Sequence, residues 1–160
     1  MSKITILFLF STLSFHFFKN PKPSPSFEFE TGWYMVTDSV PNSKLLKFKY
    51  SNQSLFIQRT PILLAKNYSE INITTLDFGG EDFIVLELIY DGLEKLKWAT
   101  TTERMLKTHE HAVFVYQDQI LAEVLAIYKI ENGYATVSNK HFTRAFLNSV
   151  ETNIKKSNSR

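Results

Sequence analysis

The chain contains no cysteine among its 160 residues. This absence excludes disulfide bonds, cysteine nucleophiles, thiolate metal sites and a lipid-modified cysteine. A domain of this size does not need disulfides, because its hydrophobic core can suffice. Glycine is also scarce, at 5 residues, and neither a P-loop nor a dinucleotide-binding pattern occurs. The Gly-x-Ser-x-Gly pattern of serine hydrolases is absent too, so no cofactor and no catalytic residue is predicted.

The folded part of the chain lacks an excess of either charge. The whole sequence carries 18 Lys and Arg against 16 Asp and Glu. Lys3 and Lys19 lie in an N-terminal segment without acidic residues, and leaving these two out of the 18 gives 16 against 16. A near-neutral domain has no electrostatic footprint for nucleic acid, so no such partner is predicted. The basic clusters are interpreted as solvated faces and a tail: Lys44, Lys47 and Lys49, and Lys155, Lys156 and Arg160.

No apolar run is long enough for a typical membrane-spanning helix, which requires about 20 residues. A shorter run at residues 4–18 lies between Lys3 and Lys19. A basic start, an apolar run of about 7–15 residues and a polar stop are typical of a secretory signal. Residues 1–19 are therefore predicted to be a signal sequence, with a short uncleaved anchor or a buried strand as alternatives. We expect an exported protein of the periplasm or cell envelope, in contact with the membrane only if this segment is an anchor.

The residues after this segment predict a linker and one domain. Pro21, Pro23 and Pro25 alternate with polar residues, which favours an extended spacer over residues 20–31. The whole chain is 44% hydrophobic and 14% aromatic, enough for one core. The domain is predicted to cover residues 32–155, followed by a tail at 156–160.

Short runs of β-branched, aromatic and alternating apolar residues predict a strand-rich domain. Residues 83–90 have the strongest pattern, and their nearly continuous apolar character favours a central strand. Pro61 is expected to end the third strand, and Asn67 is expected to cap a short helical turn. The predicted strands are residues 32–37, 45–50, 55–57, 74–78, 83–90, 112–116, 120–121 and 134–137.

Two helices are predicted, near residues 92–107 and 140–155, with Asp91 and Asn139 as their N-caps. The apolar stripes that define them are Leu93, Leu96, Trp98, Ala99, Met105 and Leu106 in the first, and Phe142, Phe146, Val150 and Ile154 in the second. From residue 83 the order is strand, helix, strand, strand, strand, helix. We therefore expect an α+β fold of two layers, a mostly antiparallel sheet with two main helices on one face.

An ordered series of short segments resembles a known family, the head subdomain of the first periplasmic domain of SecD/SecDF. Residues 112–115 and 118–121 are similar to its Ala-Ile-Val-Leu-Asp-Gly-x-Val-Leu hairpin, and residues 129–137 to its x-Ile-x-x-Gly-x-Ala-x-Ile strand. Residues 56–63 look like its Pro-containing entry strand, and residues 139–150 like its closing helix. The chain departs from the family at Leu106-Lys107 and Ala122-Glu123, where the family has Gly-Lys and Ala-Pro.

The resemblance implies a fold, an extracytoplasmic location and contact with polypeptide. The transmembrane helices that carry the proton-coupled motor of SecDF have no counterpart in these residues, so the resemblance does not imply motor activity. It transfers no binding residue either, and the binding site remains unassigned.

His109-Glu110-His111 is the one constellation that suggests a metal. In an extended segment the two histidines would face the same side and ligate zinc, with His141 or Glu131 as the third ligand. The segment lies where a helix gives way to a strand, which favours solvated polar residues, so no metal site is predicted.

The remaining candidates are aromatic and acidic. Most aromatic residues have core patterns, but Trp33, Trp98 and Tyr134 are candidates for lining a groove. The carboxylates of Asp38, Glu87 and Asp91 have no pairing that suggests acid–base chemistry.

We therefore expect a non-enzymatic, extracytoplasmic module that binds polypeptide or an envelope protein. A small periplasmic enzyme or metal-binding protein, and a structural envelope module unrelated to export, are the alternatives.

Overall fold

The computed structural model describes residues 26–159, apart from the side chain of Phe78. The predicted signal sequence and the three linker prolines lie outside the described residues. The described part contains strands β1 (Gly32–Val36), β2 (Ser43–Lys47), β3 (Ser54–Leu64), β4 (Glu70–Phe78), β5 (Glu81–Ile89), β6 (Ala112–Tyr116), β7 (Gln119–Val124) and β8 (Tyr134–Ser138), and helices α1 (Gly92–Thr108) and α2 (Arg144–Asn158). A short 3-10 helix, Ala65–Asn67, follows β3.

Five strands form one sheet in the order β2-β3-β1-β6-β7, and each neighbouring pair is antiparallel. The two outer strands of this sheet meet. Phe48, just past β2, forms a parallel bridge with Ile120 of β7, and the Lys49 N–H donates to the Ile120 carbonyl over 2.9 Å. The sheet therefore closes on itself as a small five-stranded barrel.

The barrel has its own apolar interior. Tyr34, Ile57 and Val113 belong to this cluster, and Phe29, 5% exposed, joins it. The Phe29 and Tyr34 rings pack edge to face, with their centroids 5.4 Å apart. Residues 28–30, at the end of the segment predicted as a linker, thus lie against the barrel.

The other three strands form an antiparallel sheet in the order β4-β5-β8. The strand at 81–89 is central, as its apolar run predicted. A larger core cluster takes residues from this sheet, from the outer face of the barrel and from both helices. Alternation along β1 explains how one strand serves two cores, because Trp33 and Met35 face the large cluster while Tyr34 and Val36 belong to the barrel interior.

The structure confirms the predicted α+β class, with antiparallel strands and two helices, and divides the strands over two sheets. α1 packs chiefly against β3, and α2 packs against β4, β5 and the 3-10 helix. The order of elements from residue 83 is also confirmed.

Pro61 does not end β3, contrary to prediction. β3 continues to Leu64, and Pro61 is placed opposite Tyr34 of β1 between two register shifts. Proline is tolerated at bulges and at edges, where a missing N–H leaves no ladder bond unmade. Asn67 is likewise the last residue of the 3-10 helix and not its cap, and its side-chain amide donates to Glu94 over 3.2 Å.

Of the two predicted helix caps, Asp91 has the expected position and Asn139 does not. Asp91 occupies the N-cap position of α1, but its side chain accepts no capping hydrogen bond. α2 begins at Arg144 and is capped by Thr143, whose hydroxyl accepts the Phe146 N–H over 3.2 Å. Asn139 instead accepts the His141 N–H with its side chain, 3.0 Å away, and so shapes the turn before the helix.

Candidate binding groove

A groove of about 510 Å³ lies between α1 and β3. Its lining consists of Met35 of β1, the β3 residues Gln58, Thr60, Pro61 and Ile62, and the α1 residues Leu93, Leu96, Lys97, Thr100, Thr101 and Arg104. The groove is therefore mainly apolar with threonine hydroxyls, and its cations come from α1.

The helical wall of the groove presents two leucines that are mostly exposed in the described part of the chain. Leu93 is 76% exposed and Leu96 is 62% exposed. Leu93, Leu96 and Thr100 follow the spacing that places residues on one face of a helix. Trp98 and Met105 occupy a different face and are buried in the large core. The sequence predicted one apolar stripe that included both leucines, so their exposure corrects that prediction.

The strand wall of the groove is an open edge. β2 pairs with β3 only from Ser54 to Gln58, whereas β1 pairs with β3 as far as Leu64. The Arg59 N–H donates to the Asn42 carbonyl over 3.2 Å, so residues 60–64 have a strand partner on one side alone within the described part of the chain. An edge of this kind offers unpaired backbone N–H and C=O groups. Pro61 lacks the N–H and interrupts the row of donors.

The cations beside the groove are already paired. Lys97 Nζ lies 3.0 Å from Glu94, and Arg104 Nε lies 3.0 Å from Glu110. Both pairs are at the surface, where an ion pair is typically worth about 0–1 kcal/mol. The groove is therefore suited to apolar and backbone contacts more than to ionic recognition.

The three aromatic candidates, Trp33, Trp98 and Tyr134, do come together, around a second cavity of about 250 Å³ beneath the loop that follows β7. The two indole rings have centroids 5.2 Å apart, and Trp98 Nε1 donates to the Tyr134 carbonyl over 2.8 Å. Trp33 is 0% exposed and Trp98 is 1% exposed, so both belong to the core. Tyr134, at 40% exposure, is the one of the three with an accessible ring.

His111 and both residues proposed as a third ligand contact other side chains. His109 ends α1 in the left-handed conformation, with a φ of 57°, whereas His111 Nδ1 lies 2.7 Å from Glu123. The His141 ring lies against Tyr50, with centroids 5.5 Å apart, and Glu131 pairs with Lys129. No group of three or more His, Cys, Asp or Glu residues suited to a metal occurs among the described residues.

Sequence reasoning did not find the groove. Its apolar wall was interpreted as core, since exposed and buried leucines give the same signal in a periodicity pattern. Its strand wall falls in a segment where the proline predicted the end of a strand. The exposure of Leu93 and Leu96 depends on where β3 passes, and no local pattern encodes that position.

No protein-family model and no curated protein matches the chain. A solved structure is similar to it, the crystal structure of SecDF in the super-membrane-facing form, with a TM-score of 0.51. The two share 10% sequence identity, and the match covers 70% of this chain and 17% of the SecDF chain. The similarity confirms the SecDF-like fold that the sequence indicated. No helix within residues 26–159 is both long and apolar enough to span a membrane.

Proposed function

We propose that this chain is an extracytoplasmic, non-enzymatic domain that binds polypeptide in the groove between α1 and β3. One observation carries the proposal: two strongly exposed leucines, Leu93 and Leu96, stand beside an unpaired strand segment in the same groove. The SecDF-like fold and the signal pattern of residues 1–19 support it, because the family resemblance implies a domain that acts beside exported polypeptide.

The binding mode follows from the two walls. An extended peptide adds as a strand along residues 60–64 through main-chain hydrogen bonds, which depend little on sequence. Its side chains on one face contact Leu93 and Leu96, and these contacts favour apolar segments. Since the domain is nearly neutral and the cations of the groove are paired, the affinity depends only mildly on salt.

An NMR titration tests the proposal. The isotope-labelled domain is titrated with an unfolded, apolar model polypeptide up to about 1 mM, the range of weak association. Amide shifts are expected for Thr60, for residues 62–64 and for the first half of α1. The variant Leu96→Lys is expected to lose these amide shifts. Lysine removes the apolar contact that Leu96 makes and places a charge on the α1 wall of the groove.

Ile127→Lys is the matched control, since Ile127 is 82% exposed and lies in the loop between β7 and β8. It makes the same change of charge at a residue that does not line the groove, and binding is expected to survive. Absence of any shift at the highest polypeptide concentration contradicts the proposal and favours an envelope module unrelated to export. Shifts that persist in Leu96→Lys place binding at another surface.

The extracytoplasmic part of the proposal has a separate test. Mass spectrometry of the protein isolated from the cell envelope is expected to show loss of roughly the first 15–20 residues, or retention in the membrane fraction if the segment is an anchor. Intact protein in the cytoplasm contradicts it.

A further inference from the structure

We infer that two copies of this chain pair through the edge strand β4, which joins their three-stranded sheets into one of six strands. β4 is nine residues long and pairs with β5 at every position from Glu70 to Phe78 without a register shift. Its other side has no strand partner in the described part of the chain. No described residue outside β5 donates or accepts a hydrogen bond to the main chain of β4.

The other open edges of the two sheets are protected against regular pairing with a second copy. β2 carries Lys44 and Lys47, and lysine on an edge opposes pairing with another chain. The free segment of β3 covers only residues 60–64 and is interrupted by Pro61, so it can take a short peptide but not a regular nine-residue strand. β7 is contacted by the residues after β2, with Lys49 donating to its main chain. β8 has only five residues, and the loop that follows β7 lies beside it around the tryptophan cavity.

β4 has none of these protections. Residues 71–76 read Ile-Asn-Ile-Thr-Thr-Leu, without a charge, a proline or a bulge. β-branched residues predominate among them and favour strand pairing. A long, regular edge whose central six residues carry no charge is an aggregation hazard unless something covers it.

The charges of β4 are compatible with a second copy of itself. A two-fold axis through Thr74 pairs all nine residues of the strand antiparallel to themselves. Ile73 then lies opposite Thr75 of the other copy, and Asn72 lies opposite Leu76, whose side chain is 39% exposed in the single chain. The acidic residues at the two ends meet apolar partners, Glu70 opposite Phe78 and Asp77 opposite Ile71, so no like charges are placed opposite one another.

Sedimentation and mass measurement across a concentration series test the inference with the whole domain. We expect a monomer–dimer equilibrium between about 1 µM and about 1 mM, the range in which a weak dimer dissociates. Thr75→Lys is expected to raise the dimer dissociation constant at least about tenfold, because it places lysines of both copies diagonally across the axis. Thr75 is exposed, and its hydroxyl accepts a hydrogen bond from Arg144 over 3.3 Å, so the fold of the lysine variant is checked before its dimer is measured.

Thr152→Lys is the matched control, an exposed threonine of α2 that undergoes the same change of charge. Its dimer dissociation constant is expected to equal that of the unmodified protein. Circular dichroism of both variants shows whether each is folded. A protein that stays monomeric across the series overturns the inference, as does a dimer that a folded Thr75→Lys leaves unchanged.

The lack of cysteine permits a direct test of the register. Thr74→Cys places one thiol on the proposed axis, opposite its own copy, where a disulfide can form. Mild oxidation is expected to cross-link this variant and not Thr152→Cys. Because β4 does not line the groove of α1 and β3, loss of dimer in Thr75→Lys leaves polypeptide binding to be judged separately.

Discussion

The carboxylate of Asp118 accepts the backbone N–H of Phe29 over 2.8 Å, from 89 residues further along the chain. The second carboxylate oxygen accepts the Glu28 N–H at 3.0 Å. Asp118 lies in the two-residue turn between β6 and β7, where both Gln117 and Asp118 have positive φ. One turn residue therefore shapes the hairpin and also holds the incoming chain against the barrel.

Asp118→Ala is expected to lower the free energy of unfolding by about 1–2 kcal/mol, because two N–H groups lose a charged acceptor. Urea denaturation measures the loss, and Asp118→Asn is expected to recover part of it, since the amide keeps one acceptor oxygen. Gln117→Gly is the control, an exposed turn position where glycine fits the positive φ and stability is expected to hold or rise. If Asp118→Ala is as stable as the unmodified protein, the bonds to Glu28 and Phe29 do not anchor the segment.

Gly133→Ala is expected to cost about 3 kcal/mol or more, because an added Cβ would lie 2.1 Å from the Tyr90 carbonyl oxygen and the φ of +81° strains any side chain. A comparison with Gly80→Ala separates the close contact with Tyr90 from the strain of a positive φ. The φ of Gly80 is +91°, but nothing lies within 4 Å of an added Cβ. Gly80→Ala is therefore expected to cost only about 1 kcal/mol, by thermal or urea unfolding. Equal losses in the two variants would show that backbone strain, and not the contact with Tyr90, decides the effect.

Replacing His109 and His111 together by alanine is expected to change stability by about 0.5 kcal/mol or less. His109 is exposed, and the pair between His111 and Glu123 has more than a third of each side chain in solvent, where such pairs contribute little. Denaturation and metal analysis of the purified protein check this. Stoichiometric zinc that disappears in the double variant would contradict it.

Alkaline pH is expected to destabilise the domain through Tyr34. Burial, together with the charges of Glu30 and Asp118, raises the pKa of Tyr34 from 10.0 to about 12. Below pH 10 the Tyr34 phenol is neutral in both the folded and the unfolded state, and its contribution to the free energy of unfolding is fully present. Above that pH the unfolded chain ionises first, so the contribution is lost progressively up to about pH 12, on the order of 2 kcal/mol in total.

Urea denaturation at a series of alkaline pH values measures this loss. Tyr34→Phe is expected to show a shallower decline than the unmodified protein. Tyr128→Phe, which changes a tyrosine that is 64% exposed, is expected to leave the decline as it was. Part of the decline is expected to persist in Tyr34→Phe, because burial also raises the pKa of Tyr90. An identical pH dependence in Tyr34→Phe and the unmodified protein would show that Tyr34 does not contribute.

Local patterns were sufficient for most elements of the fold. The apolar run at 83–90 predicted β5 and its central position, the helical spacing predicted α1 and α2, and the short apolar segments at 112–116 and 120–121 predicted β6 and β7. These predictions depend on residues within one turn of a helix or along one strand, so neighbouring residues carry the signal. Caps and ends were less predictable, because several polar residues compete for the same role, as Asn139 and Thr143 do before α2.

The sequence by itself determined an α+β domain without disulfides, with these helices and strands in this order and with a fold similar to that of SecDF. Tertiary structure alone decided that Phe48 bridges Ile120 and closes a barrel, that β4, β5 and β8 form a separate sheet, and that Leu93 and Leu96 face a groove. The physical reason is that the hydrophobic effect favours the removal of an apolar residue from water but does not specify which surface covers that residue. Strand pairing and burial between distant segments are settled together, when the whole chain packs.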